Sequence, residues 1–274
     1  MNGERKLIDT LQFSVLLEAE HIYNFHMRYG GQRFNDVLNN LGMHGIVITL
    51  YKKCKPIRLS FFVDCKFILK KQKIEERDYK ELEKYLLKAL DLLFEDDSLY
   101  ISHTLTRIDY SFDIEFHDKN ESEILLDILK KQTESYRRIK IGKIYESGIG
   151  FETESDSIEI AIYDKTIQRA SDGNISILRF EVRLKNDHLY NFSKRKRIKK
   201  QIKDFFKKDY FVKYMEEYLF KIIFKGDYYS ANAAKYKIDS TSLKKLDKEK
   251  VFNLAEQIEV LGIENVKMSM NPKT

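Results

Sequence analysis

Thr106-Arg107-Ile108-Asp109-Tyr110-Ser111-Phe112-Asp113-Ile114 alternates between apolar and polar side chains. Successive side chains of an extended strand point to opposite faces. Ile108, Tyr110, Phe112 and Ile114 therefore share one side, and Arg107, Asp109, Ser111 and Asp113 the other. Two later segments repeat the division. Ile158 to Lys165 sets Ile158, Ile160 and Ile162 against Glu159, Tyr163 and Lys165, and Leu178 to Leu184 sets Phe180, Val182 and Leu184 against Arg179, Glu181 and Arg183. Tyr163 and Lys165 lie about 7 Å apart by strand rise. If the three strands are neighbours, burial of their apolar sides forces the polar sides together. The alternative is a solvated face crossed by salt bridges worth little individually. Asp is a poor strand former, so its use at two alternating inner positions favours a functional face.

Outward from these strands, Asp9–Leu17 alternates as a further strand. Glu18–Tyr29 reads as a helix ended by Gly30-Gly31. The β-rich runs Ile46–Tyr51 and Ile57–Val63 read as paired neighbours. Glu75–Phe94 carries Tyr79, Leu82, Leu86, Leu90 and Leu93 at three- and four-residue steps, a long amphipathic helix. Glu121–Leu129 is a shorter helix, and Ile139–Ile149 and Ser157–Tyr163 read as strands. After Asn186 only helical patterns follow: Asp187–Phe224 in one stretch, then Asp227–Lys237 and Ser240–Leu261. The expected fold is α+β: a mixed, largely antiparallel central sheet with one polar active-site face and helices packed on the other, followed by an all-helical basic C-terminal part. A soft boundary divides a catalytic part, 1–186, from a helical part, 187–274.

The composition, 43% hydrophobic and 34% charged over 274 residues, is that of a folded globular protein. No apolar run is long enough to span a bilayer and no apolar leader opens the chain, so a cytoplasmic location without membrane contact is expected. Cys54 and Cys65 lack the spacing of a zinc site or a disulfide framework. The net charge of +6 is uneven: residues 187–225 hold twelve Lys and Arg against five Asp and Glu. Such a block is the electrostatic footprint expected for a polyanion, or else a solvated helix face. Lys194, Arg195, Lys196, Arg197, Lys199 and Lys200 are the candidate phosphate-binding cations. Phe205, Phe206, Tyr210 and Phe211 are assigned to the core.

The polar strand faces suit phosphoryl transfer to tyrosine. Asp109, Asp113 and Glu181 are candidate oxygen ligands for a hard divalent cation. Lys165 would meet the phosphate or leaving group, and Arg107, Arg179 and Arg183 would hold backbone phosphates or support the carboxylates. Glu159 is a weaker candidate for activating water. Tyr190, Tyr210 and Tyr214 are rival nucleophiles without carboxylate strands. No histidine pair has metal-ligand spacing, and neither a phosphate-binding nor a dinucleotide-binding glycine motif occurs.

Leu105–Asp113, Ile160–Gln168 and Leu178–Lys185 resemble, in order and spacing, the plasmid rolling-circle replication initiators of the Rep_trans family. The likeness covers 105–185, with Gln168 where an acid can stand. It implies Tyr163 as nucleophile and Asp109, Glu181 and Asp113 as a site for Mg²⁺ or Mn²⁺. It further implies an origin-specific nicking and joining enzyme that binds a double-stranded origin and exposes a single-stranded nick site. The enzyme would leave a 5′-phosphotyrosine and a free 3′-OH primer without ATP. A homodimer that loads a host helicase, with origin recognition in the C-terminal part, is implied as well. The competing readings are a phage-type initiator, an integrative-element nickase or relaxase, and a non-catalytic origin-binding protein on the same scaffold.

Overall fold

β1 (Thr10–Leu17), β2 (Ile46–Tyr51), β3 (Ile57–Asp64), β4 (Thr104–Phe116), β5 (Ile139–Tyr145), β6 (Gly148–Thr153), β7 (Ile158–Asp164) and β8 (Ser176–Lys185) form a single sheet. The coordinates are a computed structural model describing residues 8–51, 56–132, 139–145, 148–153, 157–165, 175–219 and 231–270. The strands run in the spatial order β2-β3-β1-β4-β8-β7-β6-β5, and each neighbouring pair is antiparallel. Long-range pairing brings β4 beside β8, and β8 beside β7, so the three alternating strands of the sequence are neighbours in the middle of the sheet.

The apolar side of the sheet follows from the period of two. Leu11, Phe13, Val15 and Leu17 of β1 are buried, and Phe13 stacks on Phe61 of β3 at 4.8 Å between ring centroids. Ile108, Tyr110, Ile160, Ile162, Val182 and Leu184 are inaccessible to solvent. Helices cover this side. α1 (Ala19–Tyr29) and α2 (Phe34–Asn40) pack against α4 (Tyr79–Phe94), which buries Leu82, Leu86, Ala89, Leu90 and Leu93 along one stripe. Between them in sequence, the short α3 (Cys65–Leu69) turns away from the end of β3, its first turn capped by the Asp64 carboxylate accepting from Phe67 N–H at 2.9 Å. α5 (Lys119–Gln132) contacts β4, β6 and β8.

The helices that follow the sheet belong to the same core. α6 (Asn186–Lys196) lies on β4 and β8, and α7 (Ile202–Phe205) and α8 (Lys208–Tyr214) lie on β4. The Tyr110 hydroxyl of β4 donates to the Phe205 carbonyl at 2.6 Å, and its ring stacks on Tyr214 at 5.8 Å. A π-helical turn, Met215–Leu219, ends this group. Helices Ala231–Asp239, Lys245–Leu261 and Ile263–Met270 follow, the last two touching α5. No described helix is long and apolar enough to cross a membrane.

Two expectations need correction. The stretch 187–224 is not one continuous helix over its described part: Arg197 turns left-handed at φ 53°, and residues 198–201 leave helical geometry. Tertiary hydrogen bonds override helix propensity here. Leu105 N–H donates to Lys200 O at 2.8 Å, Gln201 Nε2 to Ile101 O at 2.6 Å, and Ile202 N–H to His103 Nε2 at 2.9 Å. The run 139–149 is also not one strand. It folds back as the β5/β6 pair, with Ile144 opposite Ile149.

Candidate active site

Register builds the site. Along β8, Arg179 is opposite Asp113 of β4 and Tyr163 of β7, Glu181 is opposite Ser111 and Ala161, and Arg183 is opposite Asp109 and Glu159. Side chains that are directly paired share a face. The polar residues singled out from sequence therefore stand side by side. They do not form an open, solvated surface: Asp109, Ser111, Asp113, Arg179 and Glu181 are each at most 3% exposed.

Buried charges require partners, and this face supplies them. Arg179 grips Asp113 in a fork, Nε to Oδ1 at 2.8 Å and Nη2 to Oδ2 at 3.0 Å. Arg107 does the same to Asp109, at 2.8 Å from Nε to Oδ1 and 2.6 Å from Nη2 to Oδ2. Thr10 of β1 donates to Asp109 Oδ2 at 2.5 Å. Arg183 donates from Nη2 to Glu181 Oε1 at 2.7 Å, pairs with Glu159, and lies 3.4 Å from Asp109 Oδ1. The phenol of the half-buried Tyr163 donates to Glu181 Oε2 at 3.1 Å.

These surroundings set the proton affinities. Burial pushes the Glu181 carboxyl up, and the Asp109 charge pushes the same way against Arg183. Burial, then the Glu181 charge, raises the Tyr163 phenol, with Arg179 opposing. Burial lowers Lys165 to about 8; Asp9 opposes that shift, while Arg179 and Lys66 add to it. Cys65 is buried, and burial with the neighbouring Asp64 and Asp9 charges holds its thiol protonated. Cys54, like Gln168, lies outside the described residues.

Three contributors escaped the sequence reading. Asp9, just before β1, pairs with both Arg179 and Lys66 of α3. Lys66 had no motif to mark it. Gly148 of β6 is the direct partner of Tyr163. A Cβ there would lie 2.5 Å from Ile162 O and 2.7 Å from Tyr163 Cβ, so only glycine fits without displacement. The neighbouring glycines at 148 and 150 were the available signal, since glycine inside a strand marks close approach.

The basic segment is placed elsewhere. Lys194, Arg195, Lys196, Arg197 and Lys199 are exposed at and beyond the end of α6. Lys200 does not join them fully: it is half-buried and donates to Asn186 Oδ1 at 2.6 Å. This segment meets the start of β4 at Leu105, roughly 26 Å along that strand from Asp113 by strand rise. Among the rival tyrosines, Tyr214 is buried against Tyr110 and accepts or donates at His188 Nε2 over 2.9 Å, whereas Tyr190 is exposed on α6.

The acidic residues do not fit a resident metal as arranged. Asp109, Asp113 and Glu181 each already accept hydrogen bonds from arginine. Among the described residues no group of three His, Cys, Asp or Glu side chains is placed to hold one.

No family model matches the chain, and no curated protein matches it. The solved structure of a rolling circle replication initiator protein from Geobacillus stearothermophilus is similar to it at a TM-score of 0.35 and 13% identity, over 69% of this chain and 77% of that one.

Proposed function

We propose that the chain cuts and rejoins DNA through Tyr163, as a rolling-circle replication initiator does. The observation that carries this reading is the Tyr163 phenol donating to Glu181 at 3.1 Å while standing beside Arg179 in the sheet register. Tyr163 Oη attacks a phosphodiester and passes its proton to Glu181 Oε2. Because burial and Asp109 raise the Glu181 carboxyl, it is a stronger base than an ordinary glutamate. The P–Oη bond forms as the P–O3′ bond breaks. Charge developing on the non-bridging oxygens is met by Arg179 and Lys165. Lys165, at about 8, donates a proton to the departing 3′ oxygen. The products are a 5′-phosphotyrosine and a 3′-OH. The exposed cations of 194–199 bind duplex phosphates at the other end of β4. On this reading the partners are origin DNA, a single-stranded nick site, a second copy of the chain and a helicase.

A second reading, a non-catalytic DNA-binding protein, is favoured by one observation: both oxygens of Asp109 and of Asp113 are engaged by arginine, and Glu181 Oε1 by Arg183. One assay separates the two. Supercoiled DNA carrying a candidate origin is incubated with the protein in Mg²⁺, in Mn²⁺ and in EDTA, and nicked DNA with covalently attached protein is sought. The nicking reading expects an adduct that Tyr163→Phe abolishes. An adduct unchanged in that variant moves the nucleophile to another residue. DNA binding without an adduct in any condition selects the second reading.

A further inference from the structure

Asp9 shares its carboxylate between cations from two different elements. Oδ2 takes Nη1 of Arg179 on β8, and Oδ1 takes Nζ of Lys66 on α3. Lys165, on the Tyr163 side of β7, adds a third positive charge that favours the Asp9 anion. Burial alone would raise the Asp9 carboxyl, yet these three cations together hold it below its ordinary value. Arg179 is also the direct partner of Tyr163 in the sheet. Two cations thus grip one carboxylate next to the strand that carries the candidate nucleophile, and Lys165 adds its charge from that strand's end. A phosphodiester presents the same features as that carboxylate: one negative charge and a fork of two oxygens that guanidinium and ammonium groups recognise.

We propose that the Asp9 carboxylate occupies the seat of the scissile phosphate, holding Arg179 and Lys66 together until a phosphodiester replaces it. The inference rests on the Tyr163 reading for the identity of that phosphate. Exposure favours exchange at this edge. The Asp9 side chain is 14% exposed, whereas Asp113 is at 1% and Arg179 at 0%. Anchoring favours it too. Arg179 keeps Nε and Nη2 on Asp113 and gives only Nη1 to Asp9, so its guanidinium stays fixed when Asp9 leaves. The Asp9 backbone is pinned on both sides: its N–H donates to Asp109 O at 3.0 Å, and its carbonyl accepts from Cys65 N–H at 3.1 Å. Release is therefore a rotation of one side chain, with no strand movement. Because one anion replaces another, the buried cations are never left unpaired, a state that low-dielectric surroundings penalise heavily.

Asp9→Asn keeps the shape of the side chain and removes its charge. Binding of a fluorescein-labelled short oligothymidylate is measured by anisotropy over a range of salt, in a Tyr163→Phe background that prevents covalent attachment. The expected result is binding about ten-fold tighter at low salt, with a log–log salt slope steeper by roughly 0.7, the share of one additional phosphate contact to a single strand. Binding unchanged or weakened in a folded Asp9→Asn protein overturns the proposal. Lys66→Met, which leaves Asp9 paired with Arg179, provides an independent arm. It is expected to weaken oligothymidylate binding about five-fold by removing one charge from the seat, and unaltered binding overturns the proposal. If both shifts appear but the wild type forms no DNA adduct, the phosphate seat stands and the nicking reading falls. If the adduct forms and neither shift appears, the reverse holds.

Discussion

Asp113 and Arg195 both carry a full charge, yet they occupy opposite circumstances. Asp113 lies in the middle of the sheet, 2% exposed, with both oxygens committed to Arg179. Arg195 stands exposed near the end of α6 among Lys194, Lys196 and Arg197. In the first region each charge exists for another charge of the same chain, and the folded state depends on the match. In the second, like charges crowd together where water screens them, and the fold gains nothing from their presence. A charged face committed to itself can hold a reactive geometry. A charged face that forms no ion pair among the described residues can meet an external polyanion.

Substitutions that move each region toward the character of the other test this contrast. Asp113→Ala would leave Arg179, among the described residues, with Asp9 alone as a carboxylate partner in buried surroundings. The expected loss is about 3–5 kcal/mol, read from urea denaturation; a loss below about 1 kcal/mol would place the sheet face in the same weak class as surface ion pairs. Gly148→Ala inserts a methyl group against Ile162 O and Tyr163 Cβ. It should cost about 1–3 kcal/mol through overpacking, and adduct formation should fall further than stability does, because Tyr163 is the residue displaced.

The third test uses pH. Lys165 has a folded value of about 8 against an ordinary value of 10.5. The unfolded chain therefore binds more protons between those values, and stability should rise as pH increases from about 8 towards 10. Over the same window nicking should decline as the proton donor is lost. In Lys165→Met the rise in the urea midpoint should shrink and the decline in rate should vanish; a wild-type rate that stays flat from pH 7 to 10 would remove Lys165 from the proton transfer. The smallest effect on stability belongs to the α6 end. Arg195→Glu with Arg197→Glu should change the unfolding free energy by less than about 0.5 kcal/mol. The magnitude of the salt slope for duplex binding should nevertheless fall by about two, for every DNA sequence alike. A normal slope in a folded double variant would exclude this segment from the DNA contact.

Strand identity and the sharing of a polar face by β4, β7 and β8 were legible because a two-residue alternation is local and unambiguous. The burial of that face was not. Alternation separates two sides of a strand but says nothing about what covers them, and Asp109, Arg179 and Glu181 look equally suited to water. Asp9 was invisible as a participant because its partners, Arg179 and Lys66, are distant in sequence and come from different elements. The helical pattern after Asn186 was real in α6 and α8. Its interruption at Arg197–Gln201 arises from hydrogen bonds to Ile101, His103 and Leu105, none of which leaves a proline or glycine to betray it. Gly148 and Gly150 stand inside β6, and the fold-back of 139–149 into two strands needs the knowledge that Gly148 lies against Tyr163.

The pairing of β4 with β8 has a consequence for how the chain finds its own structure. In the native alignment Asp113 is opposite Arg179, Ser111 opposite Glu181, and Asp109 opposite Arg183. A one-residue slip would turn the arginines into the apolar core. A two-residue slip keeps the faces correct and is the subtler error. Slipped one way, Asp113 meets Glu181; slipped the other, Asp109 meets Glu181. Either shift sets two carboxylates directly against each other, which antiparallel neighbours do not tolerate. The plus–minus–plus spacing of Arg179, Glu181 and Arg183 against acid–serine–acid works as a vernier scale whose marks coincide at one alignment, so the charges behind the proposed chemistry also proofread strand assembly.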